Sequence, residues 1–219
     1  MKWNKKFQYP ESIKSLKKTF ESNIPSVSLI LKETMPEEKK LALQNWMEKV
    51  GMKEAEKIKI DASKRGALMH NYIEKFLENK LSKPKDDTDK AYKMAKVIIK
   101  NGLEGNLEEI WKTEAILCFP GRFLGITDLV GVVNSKPSII DYKQSNSPKQ
   151  EKYCEDYFLQ LAAYVLAHDK VYNTKIEQGI IFLATESFMF QKFVLEGEKL
   201  EKYKELFLER VNKFNSKKL

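Results

Sequence analysis

An α/β fold built on one mixed sheet is predicted by three observations. Residues 36–100 carry apolar side chains at helical spacing. Residues 109–144 break into short segments rich in β-branched and aromatic residues, separated by turn signals. Beyond residue 155, helix-period and strand-like segments alternate.

The first 33 residues are mixed, with Pro10, Pro25 and the polar triplet Glu21-Ser22-Asn23. They read as an irregular arm followed by a short apolar stretch, Val27 to Leu31. Pro36-Glu37-Glu38 follows Thr34, and acids in a first turn suit the positive end of a helix. That helix is expected to run to Val50, to bury Leu41, Leu43, Trp46 and Met47, and to stop at Gly51. A second helix is expected from Lys53 to Glu78. Gly66 inside it costs about 1 kcal/mol relative to alanine, so it needs a packing or functional reason. Lys83-Pro84-Lys85-Asp86-Asp87 reads as a polar loop. A third helix, Thr88 to Lys100, stops at Asn101-Gly102. Strands follow at 109–118, 121–133 and 138–144, then a helix at 155–169 with Phe158, Leu161, Ala162 and Val165 on one side. Two more strands, 177–185 and 188–195, lead to a closing amphipathic helix over 196–214.

Composition narrows the function classes. Aromatic residues make up 11% of the chain, enough apolar area to exclude a disordered basic tail. Cys118 and Cys154 are the only cysteines, which excludes a disulfide scaffold and a four-cysteine zinc or iron–sulfur site. No apolar run approaches the roughly 20 residues of a membrane span, and the basic start, Met1 to Lys6, has no apolar stretch behind it. A soluble, cytoplasmic protein is expected, as a monomer without membrane contact. The whole of 1–219 is expected to be one domain: a helical part at 1–105, a sheet and helix at 106–195, and a C-terminal helix at 196–219. The net charge of +8 is a weak pointer to an anionic partner. Lys39, Lys40, Lys53, Lys57, Lys64 and Arg65 gather in the N-terminal helices, but acids interleave with them as on a solvated helix face. Trp46, Tyr72 and Phe76 read as core rather than as base-stacking surface.

Chemistry concentrates in Ile139-Ile140-Asp141-Tyr142-Lys143. Strand alternation sends Asp141 and Lys143 to one face and Ile140 and Tyr142 to the other. An Asp-x-Lys triplet alone is common on surface strands, where it forms a lateral ion pair. Here Gly125-Ile126-Thr127-Asp128 places a second acid in the preceding strand, and the short Asn134-to-Pro137 connection makes the two strands hairpin neighbours. Paired carboxylates repel unless a divalent cation joins them, and oxygen ligands select a hard ion, Mg²⁺ or Mn²⁺. Glu114 offers a further carboxylate one strand back. Gly66, His70 and Glu74 share a helix face, as do Gln160 and Tyr164.

The set Gly66-Ala67-Leu68-Met69-His70, Gly125-x-x-Asp128, Asp141-Tyr142-Lys143 and Gln160-x-x-x-Tyr164 resembles the PD-(D/E)XK nucleases of the RecB type. Within that superfamily the chain is similar to the mitochondrial genome maintenance exonucleases and their phage relatives. Ile24 to Leu31, Thr34-Met35 and Trp46 look like that group's N-terminal stretch, and the likeness runs from about residue 24 to about 195.

The resemblance implies a restriction-endonuclease-like core with an N-terminal helical arch. It also implies a Mg²⁺-dependent DNA exonuclease, with Mn²⁺ able to substitute, that takes single-stranded DNA by a free end. Asp128, Asp141, the Tyr142 carbonyl and His70 would hold the metal, Glu114 would support it, and Lys143 would act on the attacking water or the charged phosphorane. Gln160, Tyr164, Ser145 and Lys149 would brace the site or touch DNA. Relatives often carry Lys-Thr-Ser where this chain has Lys143-Gln144-Ser145, which puts the role of the middle residue in question. The iron–sulfur branch of the superfamily is excluded by the cysteine count. A non-catalytic nucleic-acid-binding module and an endonuclease on the same fold are the alternatives.

Overall fold

The computed structural model describes residues 1–12, 24–82 and 88–217. The polar triplet 21–23 and the polar loop 83–87 lie outside them. Six strands form one mixed sheet in chain order: β1 (Lys2–Trp3), β2 (Leu107–Phe119), β3 (Phe123–Val133), β4 (Lys136–Ser145), β5 (Gln178–Thr185) and β6 (Phe190–Glu196). β2, β3 and β4 form an antiparallel meander. β4 and β5 run parallel, joined by a crossover helix, and β6 returns antiparallel. The expected arm contains β1, which pairs parallel with β2.

Helices cover both faces. On one lie α1 (Val27–Glu33), α5 (Glu155–Tyr172) and α6 (Gly197–Ser216). There Ile30, Phe158, Leu161, Val165 and Phe207 pack with Phe123, Ile139, Ile181 and Leu183 of the sheet. On the other, the C-terminal half of α3 (Met52–Leu77) joins α4 (Lys90–Ile98). Met69, Ile73, Met94 and Ile98 pack there on Leu129, Ile140, Tyr142 and Phe182. Ile139 and Ile140 thus enter opposite cores, as alternation requires, and every residue of β5 is buried.

Local sequence sets the helix ends. The Ser26 hydroxyl accepts from Leu29 N at 3.1 Å, and Asp89 accepts from Tyr92 N at 3.0 Å. α2 (Glu37–Val50) follows Pro36 and ends at Gly51, whose φ of 92° lets the chain turn directly into α3. The burial expected along α2 is overturned. Leu41, Leu43 and Trp46 are exposed, Met47 is half-buried, and α2 buries no residue at all. Its spacing makes an amphipathic face, but α2 and the N-terminal half of α3 bury almost nothing, which leaves that face without a core. Tyr72 and Phe76, further along α3, do pack against the second core.

The N-terminal arm is fastened by aromatic packing. Phe7 and Tyr9 lie against His168 and Tyr172 of α5, and Trp111 stacks on His168. The buried His168 ring bonds the Tyr9 hydroxyl at 2.8 Å and Thr174 Oγ1 at 2.7 Å. Burial pulls its pKa from 6.5 down to about 4. Between those values the unfolded chain takes a proton that the folded one refuses. The contribution of His168 to stability is therefore complete above pH 6.5, falls as the pH drops, and is gone below about pH 4. Its size is on the order of 3 kcal/mol. Urea midpoints across that range should fall more steeply for the wild type than for His168→Gln, and parallel curves would show that this histidine does not set the acid limit.

Candidate active site

The site lies where β3 and β4 part. Their ladder runs from Val133–Lys136 to Leu129–Ile140 and stops, so Asp128 and Asp141 face each other just past the last pair. Side chains take over there. Thr127 Oγ1 donates to Ile140 O at 3.1 Å, and Asp128 Oδ2 accepts from Tyr142 N at 2.5 Å. Backbone groups that lose a strand partner thus gain a hydroxyl and a carboxylate, and the fork stays polar and ordered.

β2 contributes Glu114 through a local irregularity. Glu114 has φ of 46°, uncommon away from glycine, and the β2–β3 ladder steps from Thr113–Leu129 to Ala115–Thr127 around it. α3 contributes His70, whose Nδ1 lies 3.2 Å from Asp128 Oδ1 and whose Nε2 lies 2.9 Å from Tyr142 O. Both ring nitrogens thus face acceptors, and a metal held through one of them would take the place of the proton there. Burial works against a charged ring, but the bond to Asp128 and its charge win, and the His70 pKa rises.

One ligand atom each from His70, Glu114 and Asp128 lies within 4.8 Å of the others. The Glu114 residue is exposed, yet its carboxyl is pushed up to about 7, by partial burial first and then by Asp128 and Glu74. Asp141, only 3% exposed, stands beside this group, not in it. Its Oδ2 is ion-paired with Lys143 Nζ and has no further hydrogen bond. Burial raises its pKa against the pull of Lys143. The Lys143 ammonium, disfavoured by burial, is held charged by Asp141 and Asp128. Carboxyls raised by burial and by one another, and a donor set made mostly of carboxylate oxygens with one imidazole, fit a divalent ion of the Mg²⁺ or Mn²⁺ kind.

α5 braces the lysine from the other side. Lys143 Nζ donates to Gln160 Oε1 at 3.0 Å, Gln160 Nε2 donates to Tyr164 OH at 2.8 Å, and the Tyr157 ring lies 5.2 Å from Nζ. Tyr157 went unremarked in the sequence, although its spacing to Gln160 and Tyr164 puts all three on one helix face. Tyr164 fits because β3 carries Gly125 opposite it: a Cβ there would lie 2.5 Å from Tyr164 Cε1. Gly125→Ala should push the buried ring away and loosen Lys143 through Gln160, with overpacking costing about 1–3 kcal/mol. A lowered Tm together with lost activity is expected, and an unshifted Tm would show that the ring moves freely.

The remaining expectations divide. The Tyr142 carbonyl is present in the fork but engages His70. Ser145 and Lys149 are held through their backbones, by Glu186 N at 3.0 Å and by the Gln191 side chain at 2.8 and 2.9 Å, and neither side chain joins the Lys143 network. Gly66 packs against Gln144, where a Cβ would meet Cγ at 3.4 Å. Arg65, read only as one of a basic group, turns out to reach Gln144, Asn146 and Glu186, and no spacing signal pointed to those partners.

α2 and the N-terminal half of α3 form a span tied to the rest of the molecule at two feet. Lys39 Nζ pairs with Glu155 Oε2 at 2.5 Å and Asp156 Oδ1 at 3.1 Å in the first turn of α5. The far foot is α3 from Arg65 to Met69. Between residues 40 and 64 the one buried side chain is Ala55.

The model of the PD-(D/E)XK nuclease superfamily matches residues 102–218. Mitochondrial genome maintenance exonuclease 1 of Xenopus tropicalis is 29% identical over 175 residues, covering 74% of this chain and 48% of the relative. The Mus musculus protein of that name is 28% identical over 170 residues, with 74% and 50% covered. The Homo sapiens protein is 22% identical over 213 residues, with 89% and 59% covered. The chain thus spans about half the length of the curated relatives it matches.

Proposed function

The chain belongs to the PD-(D/E)XK nuclease superfamily, and from that premise we propose that it is a metal-dependent DNA exonuclease that takes single-stranded DNA by a free end. The observation that carries this reading is the fork, where Asp128, Asp141 and Lys143 meet His70 from the helix that spans the site. The similarity to mitochondrial genome maintenance exonuclease 1 supports the choice of DNA and of end-directed cutting. The same similarity supports our further reading of a role in DNA replication, recombination or repair. Among the described residues no helix is long and apolar enough to cross a membrane.

His70, Glu114 and Asp128 would hold a Mg²⁺ or Mn²⁺ ion, with Asp141 beside them. When bound, such an ion supplies a more acidic water and a counter-charge for phosphate oxygens. The rest falls to the protein. Lys143 meets the negative charge that develops on the phosphoryl oxygens, which is where an electrostatic donor lowers a barrier most. Gln160, itself held by Tyr164, fixes its ammonium from one side and Asp141 from the other, so the charge is oriented before substrate arrives. Asp128 keeps β4 in place through Tyr142 N as well as offering its second oxygen to the site.

Two measurements test the reading. End-labelled linear single strands should be shortened in Mg²⁺ or Mn²⁺ and left intact in EDTA. Independently of turnover, Mn²⁺ should raise the Tm of the wild type by mass action, and Asp128→Asn should lose most of that rise. Undiminished cleavage in EDTA would overturn the metal assignment.

A further inference from the structure

Arg65 reaches the sheet five residues before His70. Its Nε and Nη2 both donate to Gln144 Oε1, at 3.1 and 2.8 Å, Nη2 also donates to Asn146 Oδ1 at 2.6 Å, and Nη1 pairs with Glu186 Oε1. The Arg65 side chain is 14% exposed. Glu186, just past β5, is itself fixed, its N–H donating to Ser145 O at 3.0 Å and its carboxylate lying 3.4 Å from Lys90 Nζ. His70 meanwhile contacts Tyr142 O. α3 therefore grips β4 at two points that bracket Lys143: the carbonyl before it and the side chain after it.

Resting on the nuclease reading, we propose that Arg65 is a positioning residue, with Gln144 as its main acceptor, that fixes the rotation and height of α3 over β4 and so places His70 against Asp128 and Glu114. Three features favour this role. A planar guanidinium can serve acceptors on two separate segments at once, which a lysine ammonium on its flexible stem does not reproduce. Gly66, the residue after Arg65, lies over Gln144, where a Cβ would sit 3.4 Å from Cγ, so helix and side chain are in contact right beside the grip. Finally, between Ala55 and Met69 α3 has no buried apolar side chain, so on the N-terminal side of Met69 the Arg65 contacts are what tie the helix to the sheet. Gln144, where the Lys-Thr-Ser pattern is broken, is then engaged with the helix rather than with substrate.

The experiment compares wild type, Arg65→Ala, Arg65→Lys and Gln144→Ala in three readouts: amide exchange over residues 62–74, Mn²⁺ affinity by calorimetry, and kcat and KM on a linear single strand. Arg65→Ala should exchange faster around His70, bind Mn²⁺ about tenfold more weakly and lose about a hundredfold in kcat, with KM little changed. Arg65→Lys keeps the charge opposite Glu186 but loses the fork, and should restore only part of each loss. Gln144→Ala should move all three readouts in the same direction, and it carries the test should Arg65→Ala fail to fold. A raised KM at unchanged kcat would make Arg65 a phosphate ligand and overturn the proposal. So would full recovery in Arg65→Lys, or unchanged exchange in Arg65→Ala. Absence of cleavage by the wild type would sink the nuclease reading alone, because the exchange and Mn²⁺ readouts still judge the clamp.

Discussion

Lys143→Ala is expected to lower kcat by about 10²–10³-fold while leaving affinity for single-stranded DNA nearly intact. The ammonium is held in place before substrate arrives, by Asp141 on one side and Gln160 Oε1 at 3.0 Å on the other. A charge placed in advance acts on the transition state rather than on ground-state binding, so its loss should appear in kcat and not in KM. Removing it also strands the Asp141 carboxylate, 3% exposed, without its counter-charge. Breaking a buried pair on one side costs about 3–5 kcal/mol, so the Tm of the variant should drop in metal-free buffer and recover part of the loss when Mn²⁺ is added. The recovery separates an unfolded variant from one that is folded and catalytically silent. Lys143→Ala with an unchanged kcat would reduce Lys143 to the partner of a structural ion pair. Lost DNA affinity with an unchanged kcat would instead make it a strand-binding lysine.

Which parts of this site could be read from the sequence follows from physical range. Period-two alternation is a property of the backbone, so the shared face of Asp141 and Lys143 and the entry of Ile139 and Ile140 into opposite cores were legible residue by residue. The i, i+4 spacing of His70 with Glu74 and of Gln160 with Tyr164 was legible for the same reason. The gap between β3 and β4 was not. A hairpin connection predicts that Asp128 and Asp141 come together, but not that the ladder ends there and leaves Thr127 and Asp128 to satisfy β4. Nor does periodicity report whether an apolar face has anything to pack on. Leu41, Leu43, Trp46 and Met47 have the spacing of a buried stripe and sit on a helix that buries nothing. The Arg65 contacts join residues 79, 81 and 121 positions apart and depend on the finished fold. Glu114 was noticed as a carboxylate, but its left-handed backbone, within a stretch whose register with β3 is unbroken, has no signal in the local sequence.

Circular single-stranded DNA is expected to resist digestion under conditions where the same sequence in linear form is shortened stepwise and blunt duplex is cut poorly. The reasoning begins with the two feet of the α2–α3 span. One is the pairing of Lys39 with Glu155 and Asp156, and the other is α3 from Arg65 onward, held to β4 and β5. His70 hangs from the second foot into the fork, so on the proposed reading a strand that reaches Asp128 and Lys143 would lie beneath helices tied down at both ends. A passage of that kind would admit a strand by its end. The span also leaves Leu41, Trp46, Met52, Ile60 and Leu68 exposed. Base faces are apolar and sequence-tolerant partners for side chains of that kind, while the interleaved lysines suit phosphates. The foot at Lys39 is a solvent-exposed ion pair, of the sort that contributes about 0.2–1 kcal/mol and weakens with salt. Arg65 is the stronger tie, with three acceptors on two segments. Lys39→Glu should therefore open the first foot without disturbing the fork, and its signature is specific: circular strands become substrates while the rate on linear ones changes little. Equal rates on circular and linear single strands by the wild type would show that the span does not close, and the protein would then be an endonuclease on the same fold.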